Sequence, residues 1–256
     1  MDYLFLNLDP WLITFLFTVI MALSWVSGWW VERKLQTRLA KDPGVKFTDA
    51  TMALLGLLLG FTFSMSLGRH ENRRMAVVTE SNPIGDFHTC VSLLQEPHRS
   101  SLQEVTRAYA EERLALSRET NLTETDLQRA FRKNQEMYQT MTERVRTALT
   151  AGTTINQPLT NTLNALISSA STRKDAYRDR IPSSILILLI FSSAIPAFLM
   201  GRQQGGSTSL HLAGPLCFVS LVSLVIYVTL DLNQPSRGSI RVSQEPMESL
   251  VESLTN

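Results

Sequence analysis

An all-α integral membrane protein, with four membrane-crossing helices and a central water-exposed helical domain, is the fold class this sequence predicts. Three observations carry that reading. Charged residues make up only 18% of the chain, yet residues 69–180 hold 16 Lys or Arg and 14 Asp or Glu. Residues 10–31, 50–68, 183–200 and 212–230 hold none of either. At about 1.5 Å of helix per residue, each such block crosses, or nearly crosses, about 30 Å of hydrocarbon. The chain therefore divides into N-terminal membrane segments (1–68), a helical soluble domain (69–180), a transmembrane hairpin (181–232) and a tail (233–256).

The first span opens at Pro10 and ends near Val31, with Trp11 at one end and Trp29 and Trp30 at the other. Amphipathic rings at those positions suit the two membrane interfaces. No Lys or Arg precedes this stretch and no small-residue cleavage site follows, so it reads as a retained span and not a secretory signal.

The second span, Ala50 to Gly68, carries Gly56 and Gly60 in a GxxxG spacing, with Gly68 two turns on. Small residues let helix backbones approach closely, and composition favours that use over a pore face. Thr62, Ser64 and Ser66 add hydroxyls that can be satisfied by carbonyls of the preceding turn. With no breaker at its end, this helix is expected to run on into water. Pro83, after Asn82, then predicts a bend, because the residue before a proline disfavours the α region. Glu80 and Asn82 sit at that bend, placed for local capping or for pairing between subunits.

Pro97 predicts the next break, with Ser100 or Ser101 as the cap of the following helix. Leu102, Val105, Tyr109 and Leu116 recur there at helical spacing. Thr125 with Gln128 repeats the cap pattern before an amphipathic helix bearing Leu127, Phe131, Tyr138, Met141, Val145 and Leu149. Ala151-Gly152 ends it. A last helix starts near Asn156 and runs to a basic patch of Arg173, Lys174, Arg178 and Arg180. That patch suits topological anchoring at anionic lipid, or the focusing of anions towards a vestibule.

The third span follows Pro182, which suits a first helical turn. Pro196 is expected to kink or end it. A short polar, glycine-rich connector leads to the fourth span, Leu212 to Leu230. Four spans put both termini and the central domain on one side. The balance of basic residues there, nine against six across the membrane, favours a cytoplasmic central domain; the cell's inner membrane is the expected location. The first loop taken alone votes the other way, and a buried or partial span over residues 50–68, leaving both flanks inside, is the alternative to a full one. Past residue 231 the chain is expected to be extended, with a short amphipathic end at Met247, Leu250, Val251 and Leu254.

The chemistry the sequence lacks narrows its function. There is no phosphate loop, GxGxxG, HExxH or GxSxG, so no catalytic residues and no cofactor are assigned. The four histidines include no i,i+4 pair, and Cys90 and Cys217 lie in different settings, so no metal site or disulfide is expected. A net charge of +1 offers no footprint for nucleic acid. The four spans carry no deep charge of the kind that ion-coupled carriers use. A channel, a scaffold or a sensor remains, with the lipid bilayer as first partner.

Three stretches resemble the bacterial bestrophin-like membrane proteins. They are Leu59-Gly60-Phe61 through Arg69, Glu71, Asn72, Arg73 and Arg74 to Glu80, Asn82, Ile84 and Gly85; Leu93-Leu94 through Pro97, Arg99 and Leu102 to Tyr109; and Asp231-Leu232-Asn233-Gln234-Pro235 with Arg237-Gly238 and Ile240-Arg241-Val242-Ser243. The resemblance implies a homo-oligomer, pentameric in true bestrophins, that passes inorganic ions through an axial pore lined by the second span. By that pattern Leu57, Phe61, Ser64 and Gly68 face the axis, with Phe61 able to form a constriction that gates by dewetting. Arg69, Glu71, Asn72, Arg73, Arg74, Glu80 and Asn82 would form a membrane-exit or interface network. Asp231, Asn233, Pro235, Arg237 and Gly238 would form the C-terminal motif. This sequence departs from true bestrophins in having no acid cluster after the last span, so calcium activation is not carried over. The alternative is a non-conducting membrane scaffold or ligand sensor using the central helical domain.

Overall fold

The computed structural model describes residues 9–35, 43–120, 122–205, 212–235 and 238–255. Among these are eight α-helices: α1 (Pro10–Leu35), α2 (Pro43–Ser92), α3 (His98–Arg118), α4 (Glu124–Thr150), α5 (Asn156–Arg178), α6 (Ser183–Gly205), α7 (Ala213–Asn233) and α8 (Glu245–Thr255). The described helices include four stretches long and apolar enough to cross a membrane, matching the four charge-free blocks of the sequence. The chain forms two compact units. One holds residues up to Gly68 with Arg180–Gln234 and Gly238–Ile240; the other holds Arg69–Asp179, Pro235–Arg237 and Arg241 onward.

The apolar unit packs α1, α6, α7 and the first part of α2 around Phe17, Met21, Leu55, Leu59, Leu189 and Ile226. Its tightest joint lies between α1 and α6. A Cβ added to Gly28 would sit 2.0 Å from the Phe198 carbonyl oxygen, and one on Gly201 2.0 Å from that of Trp25. Gly205, four residues beyond Gly201, approaches Trp29 and Glu32 in the same way. Backbones this close leave room for hydrogen only, as in small-xxx-small contacts. Ser24 Oγ adds a bond to the Ala194 carbonyl at 2.7 Å, and Arg202 donates to Glu32 from Nε (3.1 Å) and Nη2 (2.9 Å).

The charged unit has its own core, in which Ile84, Phe87, Leu102, Tyr109, Met141, Leu159, Leu166 and Met247 are among the buried residues. Here α3 packs on α4 and α8, and α4 on α5. The amphipathic tail is realised as α8, which buries Met247 and Leu254.

Two prolines are accommodated inside helices, and the expected helix caps are corrected. Pro83 lies inside α2, which continues to Ser92. The hydrogen bond lost to proline is outweighed by Ile84, Phe87 and Val91, all wholly buried just beyond it. Pro196 likewise sits within α6, which extends to Gly205; the rest of the polar connector, 206–211, lies outside the described residues. The α3 N-terminus uses neither serine as its cap: Glu96 Oε2 accepts from the Ser100 amide at 3.2 Å. The α4 cap is Thr123, whose hydroxyl and amide engage Asp126 in a reciprocal capping box two residues before the expected pair. Gly56 and Gly60 make no close helix contact among the described residues, since a Cβ on either would meet nothing within 4 Å. They line instead an apolar groove of about 700 Å³ with Leu59, Phe63, Phe218 and Leu221.

Candidate functional site

Helical periodicity sorts the apolar half of α2 into two faces. Leu55, Leu59, Thr62 and Ser66 point inward; Ser66 Oγ donates to the Thr229 carbonyl on α7 at 2.9 Å, while Thr62 Oγ1 returns to the Leu58 carbonyl at 2.7 Å. The other face carries the four residues singled out from the sequence. Leu57 is 56% exposed and Phe61 63% exposed, and Ser64 and Gly68 are exposed as well. Their spacing of four, three and four residues places them on one stripe. The described residues leave that stripe uncovered. A phenylalanine so exposed, in a segment this apolar, faces lipid, another subunit or a pore.

The polar residues that follow on α2 divide in the same way. Glu71 and Arg74 are exposed and pair with each other at 3.2 Å. Asn72 and Asn82 are exposed. Arg69 lies 3.5 Å from Asp179, whereas Arg73 is buried.

Glu80 is wholly buried and forms the centre of an ionic cluster. Tyr109 Oη donates to its Oε1 at 2.5 Å, Arg113 Nη2 to its Oε2 at 2.9 Å and Arg173 Nη1 to the same oxygen at 2.5 Å. Tyr138 Oη lies 2.8 Å from Tyr109 Oη, and Arg173 Nη2 donates to Gln244 Oε1 at 2.8 Å. Glu80 thus pairs within its own chain. Burial alone would push its carboxyl up, but Arg113 and Arg173, with the hydrogen bonds from Arg113 and Tyr109, hold it below the usual value. Burial and the neighbouring carboxylate raise the Tyr109 phenol well above its own. The cluster is therefore one carboxylate, two guanidiniums and two neutral phenols at neutral pH.

Sequence reasoning identified Glu80 but not its partners. The readable signal was Arg113: it falls four residues after Tyr109, on the stripe that Leu102, Val105 and Tyr109 mark as buried. A charge on an apolar stripe calls for a buried counter-charge.

Where it is described, the C-terminal motif bonds to its own turn and to the segment before α6. Both carboxylate oxygens of Asp231 accept backbone amides, Oδ1 from Ser239 and Oδ2 from Ile240, each at 2.8 Å. Gly238 fits against this turn because a Cβ there would lie 2.5 Å from the Asp231 carbonyl oxygen. Asn233 Oδ1 accepts the Ile181 amide at 2.9 Å, fastening the segment before α6 to the end of α7. Pro235 is half-buried, and Arg237 lies outside the described residues. No group of three or more metal-ligating side chains comes together among the described residues.

Comparison with known proteins agrees with this architecture. No curated protein sequence matches the chain. Among solved structures, it is similar to a bacterial bestrophin homologue from Klebsiella pneumoniae, with a TM-score of 0.65, 13% identity and coverage of 95% of this chain and 97% of that one. A second crystal structure, described as that of a membrane protein, gives a TM-score of 0.63 and 14% identity over 96% and 95% of the two chains. The family model for the bestrophin-like domain matches residues 14–247. The chain belongs to the bestrophin-like family and has its all-helical membrane fold.

Proposed function

We propose that this protein is an oligomeric ion channel in which α2 of each subunit lines an axial pore. The observation that supports this most is the outward stripe of Leu57, Phe61, Ser64 and Gly68, which the described residues leave uncovered on the helix used for the pore in true bestrophins. A ring of Phe61 side chains contributed by symmetry-related subunits would form an apolar constriction, which opens to ions when it wets. Anions are favoured over cations by the basic residues that follow on α2, but only slightly. Arg74 shares its exposed surface with Glu71, and Arg69 lies close to Asp179, so much of that charge is compensated. By the same reading the protein sits in the inner membrane, with the charged unit in the cytoplasm.

The test is electrical recording of the purified oligomer in a planar bilayer under asymmetric potassium chloride. Discrete currents absent from empty bilayers establish conduction, and the sign of the reversal potential assigns the preferred ion. Phe61→Ala is expected to raise conductance by removing the constriction. Silence of an intact oligomer across pH, voltage and divalent ions would overturn the channel reading in favour of a scaffold or sensor.

A further inference from the structure

Within the charged unit lies a cavity of about 340 Å³, a volume typical of small-molecule sites. Its walls are of two kinds. Val77, Leu127, Phe131 and Val242 supply apolar surface; around them stand Arg73, Arg113, Arg118, Arg173, Lys174 and Arg241. Among the described residues two glutamates, Glu119 and Glu248, share the lining, and Glu248 is paired with Arg118 at 2.8 Å. Leaving Arg73 aside and counting Glu80, which lies behind Arg113 and Arg173, five cations stand against three carboxylates, two positive charges in excess.

The placement of these charges matters more than their number. Arg73 and Arg113 are 5% and 6% exposed, so their fields are poorly screened by water. Arg113 and Arg173 share the single carboxylate of Glu80, which leaves the buried trio net positive. Lys174 Nζ lies 5.1 Å from the Phe131 ring centroid, setting a cation against an aromatic wall. The walls come from α2, α3, α4, α5, the segment before α8 and the first turn of α8, and Gln244 of that segment is tied to Arg173. Such a space suits a ligand with a flat apolar body and an anionic head.

We propose that this cavity is a binding site for a small soluble organic anion, a carboxylate, sulfonate or phosphate carried on a flat apolar body. The anionic head lies towards Arg173, Lys174 and Arg241, and the body against Phe131 and Leu127. The site does not depend on α2 lining a pore, so it can be tested whether or not the protein conducts.

The experiment is calorimetric titration of the full chain in lipid nanodiscs with naphthalene-1-sulfonate, with empty nanodiscs as reference. Saturable binding at one site per chain is expected, weakening as salt is raised. Naphthalene-1-methanol, which keeps the body, and methanesulfonate, which keeps the head, should each bind roughly tenfold more weakly or worse. The double variant Lys174→Ala with Arg241→Ala leaves the Glu80 cluster in place and should lose roughly tenfold in affinity at unchanged melting temperature. No saturable heat above empty nanodiscs, or equal binding of the neutral alcohol, would overturn the proposal. The three probes are compared on the unaltered protein, so their ranking is decisive even if a variant folds poorly.

Discussion

Arg113 grips Glu80 at two points: its Nη2 donates to Oε2 at 2.9 Å, while its Nε lies 2.8 Å from Oε1. The acid is on α2 and the base on α3, so one ion pair ties together two helices that enclose the core of the charged unit. Neither charge has much access to water, at 0% and 6% exposure. The pair persists because Tyr109 and Arg173 fill the carboxylate's remaining acceptor positions.

Removing the carboxylate's charge should therefore cost more than the loss of one bond. Glu80→Gln leaves two guanidiniums buried without their counter-ion, a change that costs about 3–5 kcal/mol in comparable sites. Denaturant or thermal unfolding followed by circular dichroism would register the loss as a lower midpoint. Glu71→Gln is the control: its partner Arg74 is exposed, and the change should alter stability by no more than about 1 kcal/mol. Equal effects of the two substitutions would mean that the Glu80 cluster is not a strong tie.

The same cluster sets a pH dependence whose sign can be worked out. The folded protein holds the Glu80 carboxyl below its ordinary value of 4.5. A depressed carboxyl contributes stability that is fully present above the unfolded value and is lost as pH falls through the folded one. The stability gap between the natural protein and Glu80→Gln should thus stay constant from neutrality down to about 4.5 and shrink below it. A gap that closes above that point would mean burial outweighs the two arginines.

The close approach of α1 and α6 predicts a third outcome. Alanine at Gly28 or Gly201 puts a methyl carbon 2.0 Å from a backbone carbonyl oxygen, so the helices must separate. Overpacking of this kind costs about 1–3 kcal/mol. Gly60→Ala meets nothing among the described residues of its own chain and should leave the isolated subunit's thermal stability nearly unchanged. If Gly60→Ala lowers stability only in the assembled protein, the cause is contact with another subunit.

These cases show what the sequence made legible. Lack of charge over 18 to 22 residues is a strong signal because a bilayer tolerates little else, and all four spans follow from it. The family pattern was legible too, in the run from Leu59 to Glu80 and in the Asp231–Ser243 stretch. Prolines did not tell whether a helix goes on past them, because a proline removes one hydrogen bond whereas Ile84, Phe87 and Val91 bury whole side chains beyond Pro83. Glycine spacing did not name the facing helix either. Gly56 and Gly60 lie mid-span and attracted the packing role, while Gly201 and Gly205 stood where the sequence read as the start of a polar connector. What decides between such pairs is the facing helix, and that partner is remote in sequence.

The outward stripe of α2 gives the prediction that bears most directly on function. With Cys217 replaced by Ser, Cys90 is the remaining native thiol, and it is buried. Into this background Phe61→Cys and Ser64→Cys are introduced singly, with Thr62→Cys as the inward-facing control. A charged, membrane-impermeant thiol reagent needs water at the target, because the thiolate is the reactive form. If the stripe lines a pore, Phe61→Cys and Ser64→Cys are labelled and the current changes as labelling proceeds, whereas Thr62→Cys is spared because Thr62 is only 4% exposed. A stripe facing lipid gives no labelling at any of the three positions, since neither the reagent nor the thiolate form exists in hydrocarbon. Labelling at Thr62→Cys together with the other two would mean that the helix has lost its packing on α7, and the assignment of faces along with it.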